Sequence, residues 1–340
     1  MRGLTRRHML AAMAGAGAAA WLTGRGEAAE PTVPAWQSPH LRDHPLVGRF
    51  YAPGDASFPN EAAALDRLGA AKYVLLGETH DNPDHHRLQA HVIRALVERG
   101  RHPAVAFEMM VSTQRGALAR HLAEAPKDAA GLGPAIGWEH SGWPPWRLYQ
   151  PIAEVALEAE LPIVPASFTP DAVRALGRGD PALQRLAIRL GLTEPLPGVL
   201  QASLEREISA AHCGYVEGEV VRAMARVQVV RDAGMARRLF DAAETNGAVL
   251  IAGTGHCRND RGVPYHLRRI DGGAGVASLA FIEVSEDGPA PADYAAAFDP
   301  PGLPFDLVCF TPRVDSRDAC QRFREKLKEM GDNASENASR

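Results

Sequence analysis

The chain has 340 residues, 46% of them hydrophobic and 23% charged, with a formal charge of -4. That balance describes a globular protein of one large domain or two small ones. It excludes the strongly basic footprint of a nucleic-acid binder, so no nucleic-acid partner is expected.

Residues 1–29 differ in kind from the rest. Arg6-Arg7 precede an Ala/Gly-rich apolar run from Ala11 to Leu22, and small residues follow around Ala28-Ala29. A basic start, a short apolar core and a small-residue exit describe a signal peptide, and the run is too short to span a bilayer. The paired arginines before a weakly apolar core resemble a twin-arginine signal, which exports folded cargo. A periplasmic, soluble protein beginning near Glu30 is expected. No Cys lies near the end of this segment, so no lipid attachment is expected.

Residues 30–59, rich in Pro, Gly and His, read as an extended lead-in to an α/β domain over 60–330. Strands are predicted at 72–77 (KYVLLG), 103–109 (PAVAFEM), 161–166 (LPIVPA), 248–252 (AVLIA), 276–284 (VASLAFIEV) and 305–310 (FDLVCF). Helices are predicted over 83–98, 112–124 and 148–160, the first with Asn82 as N-cap and Pro83 at its first position. The stretch 171–245 has no convincing strand. It holds a long helix over 218–244 with Val220, Val221, Met224, Val227 and Val230 at helical spacing. Apolar strands separated by helices predict an α/β fold, with a mostly parallel central sheet flanked by helices and a helical insertion in mid-chain. A charged helix from 315 and a disordered tail over 331–340 complete the expectation.

The chemistry concentrates at strand ends. The first predicted strand closes in Gly77-Glu78-Thr79-His80, the second in Phe107-Glu108-Met109, and a later one in Ala252-Gly-Thr-Gly-His256. Ligands of open α/β sheets bind beyond the carboxyl ends of the strands, so Glu78, His80, Glu108 and His256 should face one another there. Two imidazoles and two carboxylates suit either a divalent metal or an acid/base set. His85 and His86 are expected on the solvent side of the first turn of their helix, and His91 has the wrong spacing to join them. Cys213, Cys257, Cys309 and Cys320 match no metal or redox motif. A bridge such as Cys309 to Cys320 is one pairing that an oxidising compartment allows.

The segments LLGETHDNPDHHRLQ, AFEMM, WRLYQPIAEVA, VQVVRDAGMA and IAGTGHCRNDRGVPYHL together resemble the ChaN family of haem-binding proteins. They follow in the family's order, and the likeness covers roughly residues 45–285. The wider superfamily includes the Tiki and TraB proteins and the erythromycin esterases. Its Gly-Glu-x-His motif, second Glu and late Gly-x-x-His map onto Glu78, His80, Glu108 and His256.

The resemblance implies a haem-binding protein of haem or iron uptake, working as a possible homodimer and with receptor or transporter components. It also implies, as the runner-up, a metal-dependent or acid/base hydrolase in which Glu78, His80, Glu108 and His256 carry the reaction. Haem needs an apolar pocket and an axial donor such as Tyr or His. The candidates are Tyr149, His140, Tyr215 and His212. The loop GWEHSGWPPWRLY offers Trp138, Trp143 and Trp146 for stacking, with Arg147 or Arg231 for the propionates.

Overall fold

The computed structural model describes residues 35–181, 185, 188, 189, 196–244, 246–298, 302–318, 320–325 and 328. The expected signal peptide and the tail over 331–340 lie outside the described residues. Seven strands are present among the described residues: β1 (Phe50–Tyr51), β2 (Tyr73–Glu78), β3 (Ala104–Val111), β4 (Ile163–Ser167), β5 (Ala248–Gly253), β6 (Val276–Glu283) and β7 (Leu307–Thr311). They form one sheet in the order β1-β7-β6-β2-β5-β3-β4. Only the β1–β7 pair is antiparallel. The six predicted strands are β2 to β7; β1 lies in the lead-in, too short to carry a periodic signal.

The helices among the described residues are α1 (Glu61–Gly69), α2 (Pro83–Glu98), α3 (Arg115–Glu124), α4 (Ala129–Ala135), α5 (Trp146–Glu158), α6 (Pro170–Gly177), α7 (Gly198–Ala211), α8 (Gly218–Ala243) and α9 (Val263–Ile270). One apolar core lies between α2, α5 and one face of the sheet, with Leu76, Ile93, Phe107, Ile152 and Ile251 buried in it. A second lies on the opposite face, where Tyr73, Leu75, Met235, Leu239 and Leu250 meet. A sheet buried on both faces needs apolar residues at successive positions, which is why β2 and β5 are apolar almost throughout.

Two local devices fix the carboxyl edge. The Asn82 side chain caps α2 by accepting from the amides of Asp84 and His85. It also donates to Glu283 at 2.7 Å and to the Pro312 carbonyl at 3.1 Å. The start of α2 is therefore pinned to β6 and to the chain after β7. On β3, the pairing register with β4 shifts between Phe107 and Val111. That irregularity brackets Glu108, and such a break re-aims a side chain at the rim of a sheet.

The disulfide joins Cys213 to Cys320, not Cys309 to Cys320, across a sequence separation of 107. Cys309 lies in the middle of β7 and is buried, as is Cys257. Its side chain faces the core, so it has no partner within reach of a bridge. The Cys213–Cys320 bond ties the end of α7 to the helical residues 320–325. Closing a loop of that length restricts the unfolded chain and stabilises the fold by about 2–4 kcal/mol. The double variant Cys213→Ser/Cys320→Ser should therefore unfold at lower urea than the wild type, by an amount in that range. Equal midpoints for the two proteins would show that the bridge adds no stability by restricting the unfolded chain.

Candidate functional site

The pairing of β2 with β5 sets Glu78 beside Gly253, and β3 on the far side of β5 brings Glu108 to the same edge. Both carboxylates are buried. A buried charge survives only when cations or hydrogen-bond donors surround it, and each has such a shell.

Around Glu78, His80 Nδ1 approaches Oε1 at 2.8 Å, and the Tyr149 hydroxyl donates to the same oxygen at 3.0 Å. His86 presents Nδ1 to Oε2 at 3.2 Å, off the line of a hydrogen bond, and neither atom has another partner. His86 Nε2 donates to the His80 carbonyl at 3.0 Å. Burial disfavours the Glu78 charge, yet His86 and His80 together hold its carboxyl well below the usual range. His80 moves the other way: against the cost of burial, its bond to Glu78 raises its pKa.

Around Glu108, the Arg231 guanidinium donates to Oε1 at 2.6 Å and the Gly253 amide to Oε2 at 2.8 Å. His256 Nε2 lies 3.1 Å from Oε1. The opposite nitrogen of His256 pairs with Asp232, and the Gln228 amide lies 3.0 Å from it. Burial opposes the imidazolium, but Glu108 and Asp232 on its two sides raise its pKa to about 9. Glu108 is held well below its usual value, again against burial, by His256 and Arg231. Asp232 is pushed up, because burial there outweighs its cationic neighbours.

The two shells meet at Gly253. A Cβ on that residue would stand 3.0 Å from His80 Nε2 and 3.8 Å from Glu108 Oε2, so glycine is what lets the imidazole approach. Gly77 is similarly confined, with a would-be Cβ 3.0 Å from the Thr254 backbone. The four residues predicted from strand ends thus converge on one edge. Among the described residues, no group of three or more His, Cys, Asp or Glu is arranged to hold a metal ion. Each carboxylate is engaged by imidazole or guanidinium instead, so the residues do not fit a divalent metal.

His85 and His86 are not exposed; both are fully buried. The Asn82 cap turns the first helical turn of α2 under β6 and β7 rather than toward solvent. His85 Nδ1 accepts from the Thr79 amide at 2.8 Å, and its Nε2 then donates to the Thr311 hydroxyl at 2.8 Å. Burial, reinforced by nearby His86, depresses its pKa to about 3. It is a neutral strut between the loop after β2 and the end of β7.

The aromatic loop is core as well. Trp138 and Trp146 are buried, with ring centroids 4.9 Å apart, and each indole N–H is taken by a backbone carbonyl. Neither presents a free face for a porphyrin. Trp143 packs edge-on against the His80 ring at 4.8 Å. Tyr149 is fully buried, and its phenol is pushed far up by burial and by Glu78. His140 is exposed beside Glu139, and Arg147 is exposed one residue into α5. Tyr215 is 59% exposed.

A cavity of about 680 Å³ opens between α6, α7 and α8. Val173, Leu204, Ile208, Met224 and Val227 supply apolar wall, and His212 lies on its lining. Gln228 and Arg231 also line it, and these two residues reach His256 and Glu108. Arg231 Nε is buried without a hydrogen-bond partner. The cavity therefore adjoins the charged edge of the sheet. Sequence reasoning did not assign roles to Asp232 or Gln228. Their signal was a polar pair four apart which, with Arg231, interrupts the apolar stretch of α8 from Val227 to Ala236.

Residues 64–267 match the family described as haem-binding uptake, Tiki superfamily, ChaN. Since that match spans more than half of the chain, the protein belongs to this family. Among solved structures, ChaN of Campylobacter jejuni, described with cofacial haem binding, is 20% identical. The alignment covers 76% of this chain and 95% of that one, with a TM-score of 0.59, and shows a shared fold. A mutant of erythromycin esterase EreC in its open conformation aligns with a TM-score of 0.41 and 15% identity, covering 80% of this chain and 99% of that one. No curated protein matches the sequence.

The paired charges predict a stability optimum in pH. His85 and His266 are held neutral in the fold, to about 3 and about 4, against a usual value of 6.5. Their contribution is lost as pH falls below that value, and the carboxylates Glu78 and Glu108 add a further loss below about 4.5. His256 acts in the opposite sense: its stabilisation is full below 6.5 and disappears as pH rises through about 9. Melting temperature should thus peak near pH 6.5 and decline on both sides. In His256→Gln the alkaline decline should flatten; a wild-type alkaline limb in that variant would refute the assignment.

Proposed function

We propose that this chain is an exported haem-binding protein of haem or iron uptake, and that it holds haem in the cavity between α6, α7 and α8. The observation that carries this reading is the cavity itself. Its volume of about 680 Å³ falls in the range of small-molecule sites. Its walls are mostly apolar, with Glu207, His212, Gln228 and Arg231 as the polar residues of the lining, and the Arg231 Nε–H is buried without a partner. An apolar wall suits the macrocycle, and Arg231 suits a propionate carboxylate. When bound, haem supplies an iron whose behaviour follows from its axial donor and the polarity around it.

Export agrees with the leader-like residues 1–29 and with the Cys213–Cys320 bond, since disulfides persist in oxidising compartments. No helix among the described residues is long and apolar enough to cross a membrane. Partners in this reading are haem, a second copy of the chain, and receptor or transporter components of an uptake system.

Titration with ferric haem should give a saturable Soret band. Val227→Trp, which fills the cavity, should abolish saturation while leaving the circular dichroism spectrum intact. Glu78→Gln should leave the band unchanged, because Glu78 does not line the cavity. A band that survives Val227→Trp, or no saturable band at all, would count against haem in this cavity.

A second reading rests on a separate observation. His80 is oriented by Glu78 through Nδ1, its side chain is 33% exposed, and its Nε2 is turned to the Gly253 edge. That is the arrangement of a general base held by a carboxylate. His256, cationic between Glu108 and Asp232, would stabilise an anion formed nearby. Ester hydrolysis by this site should rise with pH above the usual His range, because Glu78 raises the pKa of His80. Glu78→Gln should move that rise to lower pH and cut the rate about 10²–10⁴-fold. An ester hydrolysis rate indifferent to Glu78→Gln would eliminate the reading.

A further inference from the structure

We propose that the Cys213–Cys320 disulfide is a redox-sensitive lock on a strap, residues 320–325, that joins the rim of the cavity to the loop carrying His80. Opening the bond loosens both ends of the strap at once. The inference depends on the geometry of the strap and not on what the cavity holds.

Within about one helical turn the strap meets two parts of the molecule. Cys320 is bonded to Cys213, just past the end of α7. The Phe323 ring stands nearly perpendicular to the His212 ring, with centroids 5.8 Å apart, and packs on Tyr215 at the same distance. His212 lines the cavity. Arg322, one position earlier, donates to Asp81 at 3.1 Å, and Asp81 directly follows His80. Neighbouring residues of the strap thus hold the end of α7 and the loop after β2, which are far apart in sequence.

The covalent bond is the strong member of this set. The Arg322 and Asp81 side chains are 29% and 50% exposed, and an ion pair so open to water holds little on its own. The aromatic contacts add packing but no covalent restraint. With the bond closed, they re-form within the molecule each time they break. With it open, the conformational freedom of the segment opposes them.

The turn at Cys213 has its own reason to move. The Cys213 amide donates to the Ala210 carbonyl and the Gly214 amide to the Ser209 carbonyl, each at 2.9 Å, which is the Schellman closure of a helix. That closure puts the residue after the cap in the left-handed region, where glycine is the usual occupant. Here it is Cys213, at φ 55°, and a β-carbon disfavours that conformation. The bond to Cys320 holds the position, and opening it frees the turn to relax. Both cysteines are partly exposed, whereas Cys257 and Cys309 are buried free thiols, so a dithiol has one bond to act on. One of its thiolates attacks the Cys320 sulfur and expels the Cys213 thiolate, leaving a mixed disulfide. Its second thiolate then closes a ring on the first and expels Cys320. The protein gains two electrons and two protons as a pair of thiols, and the dithiol leaves oxidised to its disulfide.

The test is hydrogen exchange of the full chain, read by mass spectrometry before and after dithiothreitol. Reduction should speed exchange about tenfold or more at residues 208–216 and at 79–82 alike, while β2 and β5 keep their protection. Cys213→Ser/Cys320→Ser should exchange as the reduced wild type does and should not respond to dithiothreitol. Oxidised Arg322→Ala should loosen 79–82 alone, since the bond still holds the end of α7. A response to reduction confined to 208–216 would overturn the proposal, because the two sites would then be unlinked. Faster exchange throughout β2 and β5 would overturn it as well, since the bond would then support the whole fold and lock nothing local. Unchanged exchange at both sites would show that there is no lock.

Discussion

Two carboxylates, Glu78 at the end of β2 and Glu108 in the second half of β3, lie inside the protein, and a carboxylate out of water stays ionised only where cations and donors reach it. Much of the architecture at this edge follows from that requirement. Glu78 draws its partners from the loop after β2 and from the first turns of α2 and α5. Glu108 draws its own from α8 and from the turn after β5. Segments distant in sequence are thereby held to one point by charge as well as by packing. The interaction is strong because the surroundings are apolar: the same pairs in water would be worth a small fraction as much.

The requirement also explains features that look incidental. Asn82 caps α2 and at the same time bonds to Glu283 and the Pro312 carbonyl, which sets the angle at which His86 enters. Gly253 gives an N–H to Glu108 and leaves room for His80. A side chain there would collide with the imidazole, so backbone and site share one geometric condition. Cys257 sits against Gly77 in the same edge. Burial and the nearby carboxylates push its thiol far up, so it fills space and is no nucleophile.

How much of this was legible in the sequence differs residue by residue. The strand ends were legible because an apolar run that stops in Gly-Glu-x-His or Gly-x-Gly-His announces both the strand and the interruption. Parallel strands then deliver such ends to one edge, which made the convergence of Glu78, His80, Glu108 and His256 an expectation. The burial of His85 and His86 was not legible, because the first turn of an amphipathic helix looks open until the neighbouring strands are in place. Trp138 and Trp146 illustrate the same limit. An aromatic-rich loop reads alike whether it offers faces to a ligand or closes on itself, and here Trp146 presses on Gly133, where a Cβ would stand 2.3 Å from its ring. The pairing of Cys213 with Cys320 was hidden for a different reason: spacing along the chain carries no information about which ends of helices meet. Asp232 was missed because one acid in a long helix is usually solvated.

The long helix α8 is what makes the sheet edge and the cavity parts of one system. Met224, Val227 and Arg231 recur at intervals of three and four, so they lie along one stripe, and that stripe lines the cavity. Gln228 and Asp232, one position round from Val227 and Arg231, turn instead to His256. Arg231 belongs to both sides. Its Nη2 holds Glu108 while its Nε is buried without a partner. A guanidinium has five donors pointing in fixed and different directions, so it can keep one carboxylate and receive a second without releasing the first. A lysine at that position would have to divide a single ammonium between them. The arrangement therefore lets an anion enter the cavity without stripping Glu108 of its cation, and the charged edge of the sheet stays assembled whether or not the cavity is filled.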